Sequence, residues 1–140
     1  MSAVERRFVN YGSADGLSSN TVYAIVQDKD NFLWVGTRGG LNRFDGARFR
    51  SWKEFGRVNA LTVDRQNRLW VGTVEGLYVR DPVRDVFSEG PRGLVRALAT
   101  DSDGQVWATV GDTLLLRLSY ADGIRTEVRT RYQKRDHEGD

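Results

Sequence analysis

The chain has 140 residues, no cysteine, one histidine, and a formal net charge of +2 from 21 basic and 19 acidic side chains. That length suits one compact domain. The missing thiols exclude a disulfide framework or a thiolate metal site, and interspersed acids exclude the unbroken basic face of a nucleic-acid binder. Glycine is frequent at 15 residues, beside 4 Trp, 5 Tyr and 6 Phe, which points to short β-strands, tight turns and an aromatic-rich interior.

At the start, Met1 to Arg7 lacks the apolar stretch of a signal peptide, and no apolar run approaches a membrane span. The expectation is a chain that stays inside the cell or one whose export signal has been removed. The first predicted strand covers Val22 to Gln27 and ends at Asp28-Lys29-Asp30-Asn31, where Asx side chains bond nearby amides. A second strand runs from Leu33 to Thr37, with Trp34 on one face and Leu33 and Val35 on the other. A strand apolar on both faces must be covered on both. Arg38-Gly39-Gly40 turns the chain into a third strand, Leu41 to Phe44, and the hairpin pair Asp45-Gly46 leads to a fourth near Arg48 to Trp52.

This unit returns twice. Val58 to Asp64 precedes Leu69-Trp70-Val71-Gly72-Thr73, and Val95 to Asp101 precedes Val106-Trp107-Ala108. Trp34, Trp70 and Trp107 are spaced by 36 and 37 residues, as are Asp28, Asp64 and Asp101, and Ala24, Ala60 and Ala97. Four short strands in such a period define a β-propeller blade, in which neighbouring blades cover both faces of each sheet. The expected fold is therefore all-β: three blades of four antiparallel strands at 22–57, 58–94 and 95–132, followed by a charged tail at 133–140. The third repeat is degenerate, with Ala108-Thr109-Val110 in place of Val-Gly-Thr. Its last strand, around Ile124 to Tyr132, is charged as an edge or cap tends to be.

The chemistry-bearing residues read as structural. Asp28 with Asp30 and Asn31, and Asp101 with Asp103, have calcium-loop spacing, but Asp64-Arg65-Gln66-Asn67 puts a cation where a ligand belongs and no bidentate Glu follows. No metal and no cofactor are expected. His137, near the C-terminus, is the sole histidine, so a histidine-based nucleophile pair or a multi-histidine zinc site is excluded by counting. The glycines between Gly36 and Gly40, and between Gly72 and Gly76, lack the Gly-Lys-Ser/Thr of a phosphate loop. Equivalent placement assigns Trp34, Trp70 and Trp107 to packing between blades. Trp52 stands outside that series, on an outer strand.

Gly16-Leu17-Ser18-Ser19-Asn20-Thr21-Val22, Asp28 through Leu33-Trp34-Val35-Gly36-Thr37, and Gly40-Leu41-Asn42-Arg43-Phe44-Asp45-Gly46 together resemble the two-component regulator propeller repeat. Leu69 to Thr73 and Gly76-Leu77 repeat the match. Phe8-Val9-Asn10-Tyr11 resembles an outer strand lent to the preceding blade, so 8–21 becomes that strand plus a lead-in.

The resemblance implies the periplasmic sensor region of bacterial histidine kinases, hybrid two-component regulators and some diguanylate cyclases. Such a region senses carbohydrates or other small molecules, or governs dimerisation, without doing chemistry itself. The chain departs from that pattern in having no transmembrane helix, no output domain and too few blades to close a ring. Any membrane attachment is expected through a parent receptor. Three blades leave two apolar faces open, so self-association is expected. A ligand would sit at a propeller face, near Tyr23, Arg38, Asn42 and Asn59. A free-standing carbohydrate-binding or protein-interaction propeller is the first alternative. A propeller lyase resembling streptogramin-inactivating enzymes is the second, and it needs a blade-loop histidine that this chain lacks.

Overall fold

The computed structural model describes residues 11–131, in which three four-stranded antiparallel sheets follow one another along the chain. The first blade holds β1 (Val22–Gln27), β2 (Leu33–Thr37), β3 (Gly40–Phe44) and β4 (Phe49–Trp52). The second holds β5 (Val58–Val63), β6 (Leu69–Thr73), β7 (Gly76–Asp81) and β8 (Val86–Arg92). The third holds β9 (Val95–Thr100), β10 (Val106–Val110), β11 (Leu114–Tyr120) and β12 (Ile124–Arg131). Strands pair in sequence order within every sheet. Among the described residues no helix is long and apolar enough to cross a membrane.

A local clasp makes the first hairpin of each blade. Asp28 Oδ1 accepts the amides of Asp30 and Phe32 at 2.9 and 3.0 Å, and Oδ2 accepts the Trp34 indole N–H at 2.7 Å. Asp64 does the same for Gln66, Arg68 and Trp70, and Asp101 for Asp103, Gln105 and Trp107. The turn needs one left-handed residue, supplied by Asn31 (φ 68°), Asn67 (φ 63°) and Gly104 (φ 82°). Asn and Gly tolerate that conformation best. The periodic Asp and Trp are thus one device, and both oxygens of each carboxylate are occupied.

The sheets stack face to face, with β5 touching β1 on one side and β9 on the other. Between blades one and two lie Trp34, Leu41 and Trp52 against Val58, Leu69 and Val71. Between blades two and three lie Trp70, Leu77 and Val79 against Val95, Val106, Ala108, Leu116 and Leu118. Leu69, Trp70 and Val71 are all fully buried, which is the two-faced coverage expected of a middle blade. Trp52 is on the outer strand β4, as expected, and is 8% exposed within the first interface. Trp107 is only half-buried, because its face of the third sheet meets no blade among the described residues.

Each junction is keyed by one valine and one glycine. A Cβ on Gly36 would stand 2.6 Å from Cγ1 of Val58, and one on Gly72 would stand 2.5 Å from Cγ1 of Val95. Only a residue without a side chain leaves room for the next blade's leading valine.

The lead-in covers part of the free side of blade one. Leu17 is buried, and the Ser18 amide donates to Asn42 Oδ1 at 2.9 Å. Tyr11 belongs to no strand; its ring packs on Phe44 and Phe49 at 5.2 and 5.6 Å. The rest of the expected outer strand, Phe8 to Asn10, lies outside the described residues, as does the tail 133–140.

Candidate functional site

At the end of the stack where β1, β5 and β9 begin, the blades surround a concavity of about 540 Å³ lined by Tyr23, Arg57, Asn59, Val74, Leu94 and Arg96. Its position follows from register. Val22, Val58 and Val95 open the inner strands, and the next residue in each case (Tyr23, Asn59 and Arg96) reaches the common opening. In blades one and two the ladder shifts at that residue, a bulge that frees its side chain from the alternation of the strand.

A chain of contacts ties the three blades together here. The Arg57 guanidinium lies 4.4 Å from the centre of the Tyr23 ring. Its Nε donates to Asn59 Oδ1 at 2.9 Å, and Asn59 Nδ2 donates to the Val95 carbonyl at 2.9 Å. A π face and an amide oxygen therefore meet the Arg57 charge, where a carboxylate would have neutralised it. Arg96 is 3.7 Å from Asp112, with both side chains well exposed. Exposed pairs of this kind are weak, so Arg96 can exchange that partner for an anion. The concavity holds two cationic forks, one amide and one phenol, and none of its polar side chains is a carboxylate, imidazole or thiol.

Of the four residues expected near a ligand, Tyr23 and Asn59 share this concavity. Arg38 is exposed on the β2–β3 turn, where its amide donates to the Thr21 carbonyl, and it does not line the opening. Asn42 is a correction. It is 0% exposed, it accepts from the Ser18 amide and the Ser51 hydroxyl, and it donates to Ser18 Oγ and the Val35 carbonyl. Its amide pins the lead-in to blade one and has nothing left for a ligand. Sequence reasoning missed Arg57 and Arg96. Arg96 follows Val95 as Tyr23 follows Val22, so the repeat alignment carried that signal.

A second charged surface lies at the opposite end, near the Asp turns. It is a groove of about 370 Å³ between blades two and three that includes Arg68, Arg117, Arg125 and Glu127. Hydrogen bonds from Arg129 and Arg117 hold the Glu127 carboxyl below the usual range. Asp64 is taken up by Arg68 at 2.8 Å. Both carboxylates of this groove are thus paired with arginines, whereas in the concavity Arg57 meets a ring and an amide oxygen. Among the described residues no group of three or more His, Cys, Asp or Glu is placed to hold a metal ion.

These features define a stack of β-propeller blades with an electropositive opening at one end. The repeats at residues 16–39 and 54–75 match the two-component regulator propeller family model. A 46-residue stretch, 33% of the chain, is 50% identical to histidine kinase P4 of Formosa agariphila, of which it covers 3%. Two solved structures share the fold, both extracellular domains of hybrid two component systems of B. thetaiotaomicron. BT4673 aligns over 85% of this chain and 18% of its own length, with 26% identity and a TM-score of 0.67. BT3049 aligns over 90% and 19%, with 23% identity and a TM-score of 0.70. The chain thus spans less than a fifth of each of these proteins.

Proposed function

We propose that this chain is a segment of the extracytoplasmic sensor propeller of a two-component signalling receptor, and that it works by binding rather than by catalysis. Its ligand is a small carboxylate-bearing molecule, in particular an acidic saccharide, held in the opening shared by the three inner strands. One observation carries the reading: Tyr23, Asn59 and Arg96, from three different blades at one register position, converge with Arg57 on a single concavity. Guanidinium forks match the two oxygens of a carboxylate, and Asn59 and the Tyr23 hydroxyl suit sugar hydroxyls. Support for the receptor setting comes from the extracellular two-component domains that share this fold at about a quarter identity. Because the ligand touches all three blades, binding would report on how they sit against one another.

The test is calorimetric titration of the full chain with oligogalacturonate and with a neutral oligosaccharide of equal length. Binding of the acidic oligomer, weakened about tenfold or more by Arg96→Ala, is the expected result. Heat from neither sugar, or equal binding of both with no effect of Arg96→Ala, would overturn the reading.

A further inference from the structure

The two open ends of the stack do not match each other. Gly36 pairs with Ala24, Gly72 with Ala60, and Thr109 with Ala97 across the same two strands of each blade. Thr109 therefore occupies, on the free face of blade three, the position that is a glycine at both internal junctions. At those junctions the glycine receives Val58 or Val95, each fully buried, with Leu61 or Leu98 packed beside it. On the free face of blade one the corresponding side chains are Val22, 48% exposed, and Ile25, 61% exposed. Blade one thus presents the projecting half of the junction, while the receiving half on blade three is already filled. The Thr109 hydroxyl is buried without a hydrogen-bond partner, so the residue occupies space there and serves no polar contact.

We propose that Thr109 is a specificity determinant that prevents blade three of one copy from docking on blade one of another. The Val22–Ile25 face takes instead a propeller blade that keeps glycine two residues after its tryptophan, as Leu33-Trp34-Val35-Gly36-Thr37 and Leu69-Trp70-Val71-Gly72-Thr73 do. The argument is steric. The two internal junctions agree to 0.1 Å in the space a Cβ would violate, and the violated atom belongs to a β-branched side chain with little rotamer freedom. Repeating the junction with threonine forces the backbones apart. This removes the head-to-tail route from the self-association that two open faces lead one to expect, and it is independent of the ligand reading above.

Light scattering on the full chain, with a monomer mass of 15.9 kDa, tests it. Thr109→Gly should strengthen self-association about tenfold or more relative to the unaltered chain. Thr109→Ala, which retains the offending Cβ, should not, and Val22→Asp added to Thr109→Gly should abolish the gain. Equal masses for the unaltered chain and Thr109→Gly, an equal gain from Thr109→Ala, or assembly that survives Val22→Asp would each overturn the proposal. Should Thr109→Gly fail to fold, Gly72→Thr makes the same block inside the chain. It should lower Tm by about 5 °C or more, and an unchanged Tm refutes the steric premise.

Discussion

The two junctions within this chain use the same valine-and-glycine key but are filled differently. Between blades one and two the space is aromatic and charged. Trp34 and Trp52 lie 5.5 Å apart, Phe87 packs on Trp52 at 5.7 Å, and Phe55 bridges Phe87 and Tyr78 at 5.0 and 4.7 Å. Arg80, 3% exposed, lies 5.0 Å from the Trp34 ring and 2.6 Å from Asp85, and its Nη1 is 3.9 Å from Asp28. Asp85 in turn reaches Arg43 of blade one at 3.4 Å. Between blades two and three the filling is aliphatic, and Leu118 stands at the register position of Arg80. The half-buried polar contacts of this junction include the Thr62–Thr100 hydroxyl pair at 2.8 Å and the Thr100 bond to the Val63 carbonyl.

The difference shows what a repeat does and does not dictate. Backbone geometry and the valine key recur because every blade must meet its neighbour at one spacing. The remaining volume can be filled by rings and buried ions or by aliphatic chains of similar bulk. A buried ion network adds little net stability but is costly to break, since a lone buried charge remains. The first junction should therefore be the more sensitive to single charge deletions, and the second to changes of volume.

The sharpest way to break this contrast is Arg80→Ala, which leaves Asp28 buried and Asp85 half-paired. It should cost about 3–5 kcal/mol and raise hydrogen exchange in β1 and β5 before β10 and β11. Arg80→Leu, which writes the blade-three residue into blade two, should cost less by restoring the packing. Equal losses from the two variants would show that the charge carries no separate role.

Next in size are Gly36→Ala and Gly72→Ala. Each should destabilise by about 1–3 kcal/mol through overpacking against Val58 or Val95. Gly72→Ala with Val95→Ala should cost less than the sum of the two single changes. Strict additivity would argue against direct contact.

Asp101→Ala, at the half-buried third clasp, should cost about 1 kcal/mol. Asp28→Ala, where the carboxylate and the Trp34 indole it holds are buried with the junction, should cost clearly more. Thermal melts of both variants measure that ratio.

The smallest effect is on acid stability. Burial pushes the Asp85 carboxyl up, but the Arg80 hydrogen bond and the charges of Arg80 and Arg43 outweigh it and hold the group below its ordinary value. A carboxyl depressed on folding stabilises the folded state above its unfolded pKa of about 3.9, and that contribution is lost as pH falls through the lower folded value. Tm should therefore drop below about pH 4, and Asp85→Asn should make the drop shallower. An identical acid profile in the variant would remove Asp85 from the account.

Much of the fold was legible in the sequence. The strand at Val22–Gln27, the second strand at Leu33–Thr37 and their counterparts lie where the repeat placed them. The reason is that their hairpins are closed by contacts four to six residues apart: the Asp28, Asp64 and Asp101 clasps with their own turns and tryptophans. The site was only partly legible. Tyr23 and Asn59 were reached through the resemblance, which places a ligand at a propeller face, and Asn42 looked as available as they did although the lead-in encloses it.

Sequence alone therefore settled the three blade repeats of this chain, the approximate place of their strands and the turn role of the periodic Asp, because these depend on short-range hydrogen bonds and on a period repeated three times. Tertiary structure decided which face of each two-sided strand meets a neighbour, that Arg57 and Arg96 converge with Tyr23 and Asn59, and that Thr109 stands where a glycine receives the next blade. Those facts are set by contacts between residues a whole blade apart, and a strand apolar on both faces carries no pattern from which to read them.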